Sequence, residues 1–203
     1  YPSLGSVVSQ QRGRRDEHVP PYIVMGYPNV TRGPGFLGSQ HGYLYLTDAE
    51  SGPTGLKRPF DVGPARQSRR SELLNLLRTR ALDRSGGEAT TAGYDAAIAD
   101  AHKLMRGSFA RVFDLASEPD AIRERYGSPF GQRCLLARRL VESGVRFVEV
   151  AYDLNFKNGT GWDTHRHGQE QQHLLIEDLD QALSSLITDL ELRGLLDETL
   201  IVV

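Results

Sequence analysis

At 203 residues and 22.5 kDa the chain is long enough for one ordinary α/β domain and too short for two generous ones. Hydrophobic residues at 39% and charged residues at 25% exclude wholesale disorder, while 21 Gly and 10 Pro demand many loops. A formal net charge of −2 without a long basic run excludes a nucleic-acid binder of the globally basic kind, although the segment from Gly161 onward is acidic, with nine Asp or Glu against two Arg.

In chain order, residues 1–64 are rich in Gly, Pro, Ser and Tyr. They hold two short apolar runs, 22–25 and 43–46, that predict strands in loop-heavy surroundings. From Ser68 the pattern turns helical: Leu73, Leu74, Leu76, Leu77, Ala81 and Leu82 fall on one helical face, Ser68 or Ser71 is the expected N-cap, and Gly86-Gly87 stops the helix. A longer helix is predicted over 91–116, with Gly107 as its weak point. Pro119 opens a short helix through Arg125 that ends at Gly127, and a further helix over 130–143 closes at Gly144. The β-branched and aromatic run 145–152 predicts a strand. After a polar loop, a helix over 169–193 buries Leu175, Leu179, Ala182, Leu183, Leu186, Ile187 and Leu190, and a strand over 200–203 completes a βαβ unit. The organisation is thus a loop-rich part at 1–64, a helical part at 65–144 and a βαβ unit at 145–203. The start at Tyr1 without Met, and the end inside an apolar run, read as a segment of a longer chain. No run of about eighteen apolar residues could cross a bilayer, and no secretory apolar region opens the sequence.

A right-handed parallel crossover fixes where chemistry belongs, because ligands collect beyond the carboxyl ends of parallel strands. There the sequence places Trp162-Asp163-Thr164-His165-Arg166-His167-Gly168, a carboxylate and two imidazoles within five residues. Oxygen and nitrogen donors two to four residues apart can wrap a borderline divalent metal. The competing reading makes Asp163 or Thr164 a helix N-cap, leaves His165 and His167 solvated and puts Trp162 in the core. Thr164 lacks the ordered base and acid that a nucleophile needs. Gly33-Pro34-Gly35-Phe36-Leu37-Gly38 matches G-x-G-x-x-G, but the proline and the absence of a following helix argue for a surface loop instead. His41 in that region reads as a local hydrogen-bonding residue, and His18, His102 and His173 as background. Cys134, the one cysteine, reads as a buried inert thiol, and Arg133, Arg138 and Arg139 read as a solvated helix face.

Several long collinear blocks carry a resemblance: Tyr1-Pro2-Ser3-Leu4-Gly5-Ser6-Val7-Val8-Ser9, Gly35-Phe36-Leu37-Gly38, Arg133-Cys134-Leu135-Leu136-Ala137-Arg138-Arg139-Leu140-Val141-Glu142, Gly144-Val145-Arg146-Phe147-Val148-Glu149-Val150, Trp162-Asp163-Thr164-His165 and Arg193-Gly194-Leu195-Leu196-Asp197-Glu198-Thr199-Leu200. Together they resemble the 1501 domain-of-unknown-function family of sulfatase-like proteins, over nearly the whole chain. The resemblance implies part of an α/β/α sandwich of the alkaline phosphatase and sulfatase type, with a mostly parallel sheet. It further implies metal-assisted hydrolysis of sulfate or phosphate esters, with a divalent metal (zinc, calcium or manganese) on Asp163, His165 and His167. Asp163 with His165 follows the family's own motif, and Asp163 with His167 follows the superfamily spacing. The nucleophile and the remaining ligands are expected outside this segment, so the segment by itself is expected to be inactive. The implied substrate is a small-molecule or polysaccharide ester, and the implied location of the parent protein is extracytoplasmic. The reading from another class is a non-catalytic exported module that binds a sulfated or phosphorylated polymer or a protein, since fold alone does not fix chemistry.

Overall fold

A computed structural model describes residues 1–26, 32–46, 52–53, 61–80, 100–101, 103–104, 108–153, 161–164 and 167–203, together with the backbone of 81–85. Its centre is a three-stranded parallel sheet in which Tyr22–Met25 (β1) lies between Leu44–Leu46 (β2) and Phe147–Val150 (β3). All four β1 residues are buried, as a central strand covered on both faces requires. The register sets Ile23 beside Leu44 and Val148, and Met25 beside Leu46 and Val150. Strand alternation therefore sends these residues to one face, where they join the main core with Cys134, Leu135, Leu136 and Leu140.

The opposite face carries Tyr22, whose ring meets Tyr43 and Phe147 edge-on at centroid distances of 5.6 and 5.2 Å. Leu4–Arg12 (α1) covers it, a helix that falls within the loop-heavy part of the sequence reading. Ser3 caps it by accepting from the Ser6 N–H at 3.3 Å, and Gly13 ends it at φ 61°. A Cβ on Gly5 would fall within the Tyr22 ring, so glycine here is a packing requirement. Helices thus cover both faces of a small open sheet, which is an α/β fold. Gly5→Ala is expected to lose about 1–3 kcal/mol of unfolding free energy by overpacking against a ring that has no room to move. Urea denaturation compared with wild type measures it.

Pro64–Ser85 (α2) begins earlier than the expected serine caps, with Pro64 in the first turn and the Gln67 N–H bonded to Gly63 O. Its leucine face is not buried: Leu73, Leu76 and Leu77 are exposed. The continuous helix expected over 91–116 is also revised. Residues 108–117 form the 3-10 turns Ser108–Phe113 and Leu115–Ser117, and the carbonyls of Arg111 and Val112 accept from the Arg139 guanidinium instead of continuing a helical ladder. Most of 91–107 lies outside the described residues.

Asp120–Tyr126 (α3) ends at Gly127 with φ 69°, and Pro129–Glu142 (α4) starts at Ser128, whose Oγ accepts from the Gly131 N–H at 3.1 Å. Gly131 has no room for a side chain, because a Cβ would overlap the Tyr126 carbonyl. Gly144 at φ 102° turns the chain into β3. Gly168–Leu192 (α5) packs along α4 through Leu175, Leu179, Ala182, Leu186 and Leu190. Ile187, expected inside, is exposed. Residues 200–203, expected as a strand, pair with no described strand, and Leu200, Val202 and Val203 are exposed.

The α4 arginines are not a solvated face. Arg138 is 1% exposed and ties three elements together: Nε donates to Asp189 Oδ2 of α5, Nη2 lies against Glu118 Oε2 and Nη1 donates to Glu142 Oε2, each at 2.8 Å. Tyr126 donates to Asp189 at 3.2 Å, Arg193 reaches Asp189 and Glu142 at 3.2 and 2.9 Å, and Arg139 pairs with Glu118. Leu-rich surroundings hid this, since helical spacing cannot tell a buried arginine with partners on other elements from a solvated one. Arg138→Ala removes the shared buried cation and leaves Asp189 with Arg193 and Glu118 with Arg139, and a loss of about 3 kcal/mol, the low end for breaking a buried pair, is expected in chemical denaturation.

Burial by itself would raise the Glu118 pKa, but hydrogen bonds and charge from Arg138 and Arg139 outweigh it and hold the carboxyl below its ordinary value. The folded state therefore binds fewer protons at this site than the unfolded one. The stabilisation is complete above the ordinary carboxylate pKa and is lost as pH falls through the folded-state value. Glu118→Gln is expected to be less stable at neutral pH and to show a shallower decline in acid, followed by circular dichroism.

Candidate functional site at the carboxyl end of the sheet

Strand β3 delivers the chain to Tyr152 and Asp153 at the carboxyl edge of the sheet, and the chain returns to α5 through 161–164 and His167. Two aromatic contacts brace this exit: Phe130 with Tyr152 at 5.3 Å and Tyr152 with Trp162 at 6.4 Å. Trp162 itself is exposed and lies at the rim of the core. From α4, buried Arg133 donates through Nη2 to the Tyr152 carbonyl, with its guanidinium 5.7 Å from the Phe130 ring. Burial depresses the Arg133 pKa, opposed by Cys134, Asp153, Tyr152 and Asp178. Ser128 donates to Asp178 of α5. Burial and then Asp178 raise the Tyr152 pKa. A solvated role for Arg133 is therefore corrected: it anchors the end of β3.

Gly161 sits at φ 60°, and a Cβ there would collide with the Asp153 carboxylate. Only a glycine lets the returning loop close over Asp153, with half-buried Asp163 two residues on. Thr164 Oγ1 lies 3.4 Å from where a Gly168 Cβ would stand, so Thr164 faces the first turn of α5. The N-cap position of α5 is His167, which takes φ 52° and makes no side-chain cap hydrogen bond. Neither Asp163 nor Thr164 occupies the cap, as the competing sequence reading supposed. The His167 side chain is 78% exposed, with Nδ1 4.0 Å from Glu170 Oε2. His165 and Arg166 lie outside the described residues. Among the described residues no three His, Cys, Asp or Glu side chains gather closely enough to hold a metal ion.

A second polar cluster, absent from the sequence reading, lies on the α1 face. Glu149 of β3 accepts from Tyr22 Oη at 3.1 Å and from Arg32 Nε at 2.5 Å. Burial first, then Glu149, pushes the Tyr22 pKa up to about 12, against the opposing influence of Ser3 and Arg32. The available signal was Glu149 itself, a charged residue within an otherwise apolar run. His41 stands in the 3-10 turn Ser39–His41, with Nδ1 3.4 Å from Ser9 Oγ, and Gly35–Leu37 before it is a 3-10 turn too, so no helix follows the glycine motif. His18 bonds Lys103 O through Nδ1 at 3.0 Å, His173 is exposed on α5, and His102 lies outside the described residues.

The fold is that of an α/β protein with a small open parallel sheet. Over residues 1–203 the sequence matches the model of a family described as protein of unknown function, DUF1501, and the chain belongs to that family. No curated protein and no solved structure matches it. Among the described residues, no helix is long and apolar enough to cross a membrane.

Cys134 is free and buried beneath this site, and burial pushes its thiol up to about 12. The thiol is therefore protonated at neutral pH. Native protein is expected to react with a thiol-specific disulfide reagent far more slowly than urea-unfolded protein, measured by absorbance of the released thiolate.

Proposed function

We propose that this chain forms part of a metal-dependent hydrolase of sulfate or phosphate esters, with its metal loop between β3 and α5. The observation that carries the reading is the position of Asp163: at the carboxyl edge of a parallel sheet, half-buried and not used as a helix cap. Its fellow donors are His165 and His167, and Asp153 stands at the base of the same turn. The donor set is oxygen and imidazole nitrogen, the chemistry that zinc and manganese accept; calcium would rely on the carboxylates.

A bound divalent ion would polarise an ester oxygen and favour in-line displacement. The chain's own residues do the positioning. Arg133 pins the Tyr152 carbonyl, the Phe130–Tyr152–Trp162 contacts hold the two ends of the loop together, and Gly161 lets the loop fold over Asp153. The resemblance places the nucleophile and further ligands elsewhere in the parent protein, whose substrate class would be a small-molecule or polysaccharide ester in an extracytoplasmic setting.

Elemental analysis of the full-length protein tests the reading. Wild type is expected to retain zinc, manganese or calcium in stoichiometric amount after dialysis, and the Asp163→Ala/His165→Ala variant to lose it while keeping its far-ultraviolet circular dichroism. Equal metal in both proteins, or none in either, would contradict the assignment and move a non-catalytic binding role ahead of it.

A further inference from the structure

Two helices expose apolar stripes of opposite charge that the core of the described residues does not cover. On α2, Leu73, Leu76 and Leu77 are 56%, 49% and 53% exposed. Helical spacing aligns them with Arg66, Arg69, Arg70 and Arg80, all exposed, on one face. On α5, Leu175, Leu179, Ala182, Leu186 and Leu190 face α4 and the core. A separate outward line is formed by Ile176, Leu183 and Ile187 with Asp180 and Glu191, and Glu177 flanks it. Ile176 is 53% exposed, Ile187 is 38% exposed and Leu183 is half-buried. Across its whole length α2 carries six Arg against one Asp and one Glu, whereas α5 carries six acidic residues and no Lys or Arg.

The stripes also agree in length. Arg66 to Arg80 and Ile176 to Glu191 each run about 21–23 Å at a rise of about 1.5 Å per residue. On α2 the three leucines lie between the arginines, and on α5 Asp180 falls between Ile176 and Leu183 while Glu191 closes the line after Ile187. Self-complementary surfaces of this kind suit a two-fold pair, in which each copy supplies both partners and two α2–α5 contacts form at once.

We infer that α2 of one copy of this chain docks on the outward face of α5 of a second copy. Leucine and isoleucine stripes bury one another, and the Arg69, Arg70 and Arg80 side chains face Glu177, Asp180 and Glu191. The charges set partner choice and make the association salt-sensitive, and the apolar residues supply the buried area.

Sedimentation velocity on the full-length protein over a concentration series tests this with two charge-reversed proteins. One carries Arg69→Glu/Arg70→Glu/Arg80→Glu on α2, and the other carries Glu177→Lys/Asp180→Lys/Glu191→Lys on α5. Wild type is expected to form a dimer that weakens as salt rises. Each reversed protein alone is expected to bind itself at least about tenfold more weakly, since both of its stripes then carry one sign. An equimolar mixture of the two is expected to recover the wild-type dimer, because every contact is again complementary. Circular dichroism identical to wild type confirms that the surface changes leave the fold intact. Monomer at every concentration, a dimer indifferent to both reversals, or a mixture that stays dissociated would each overturn the inference. Binding of wild-type protein to vesicles of anionic lipid through α2, without self-association, would do the same.

Discussion

The guanidinium of Arg138 is the point on which the architecture turns. It is taken out of water on α4 and can remain charged there only because Asp189, Glu118 and Glu142 converge on it from α5, from the segment before α3 and from its own helix. Burial lowers its pKa, and the hydrogen bonds and charges of those carboxylates more than restore it. Such a network adds little net energy compared with a well-packed apolar core, but breaking one member is costly, so it fixes which side of α5 meets α4. The consequence reaches the site. The helix that packs on α5 is also the one whose Arg133 holds the Tyr152 carbonyl beyond the end of β3, so α4 ties both flanks of the candidate site to one element.

The sheet works by a similar economy of space. Gly5 admits the Tyr22 ring, Gly131 admits the Tyr126 carbonyl and Gly161 admits the Asp153 carboxylate. Each is a place where a methyl group would push apart two segments that pack in close contact. Packing of α1 on one face leaves Tyr22, Glu149 and Arg32 as a bonded polar cluster, while the other face is apolar down to Cys134. The same strand, β3, therefore serves a polar layer through Glu149 and an apolar layer through Val148 and Val150.

Much of this was legible in the residues. The runs at 22–25 and 44–46, the Pro119 and Gly127 boundaries of α3, the apolar face of α4 and the long α5 follow from propensity and periodicity, and the family follows from long collinear blocks. Helix α1 was not legible, because its buried face is Gly5, Ser6 and Ser9, small residues that produce no hydrophobic signal. Arg133 and Arg138 were misread for the complementary reason: the partners that bury them, the Tyr152 carbonyl and Asp189, lie 19 and 51 residues away, and the i,i+4 pair of Arg138 with Glu142 looks the same on a solvated helix. The leucine face of α2 shows the converse failure, since an amphipathic pattern says that a face wants cover without saying which surface provides it. Asp163 and His167 follow β3 in the chain, as reasoning about strand ends expects, and His167 stands at the N-cap of α5. His165 and residues 91–99 of the helix predicted over 91–116 lie outside the described residues.

The central proposal is spatial: that divalent-ion chemistry belongs to the segment between β3 and α5. Manganese(II) titrated into isotopically labelled full-length protein, followed by paramagnetic broadening of backbone amide signals, measures it most directly. Broadening centred on residues 151–153 and 161–168, and fading along α5, is the result the proposal predicts. Broadening centred instead on Arg32 and Glu149, or spread evenly over the acidic surface of α5, would contradict it.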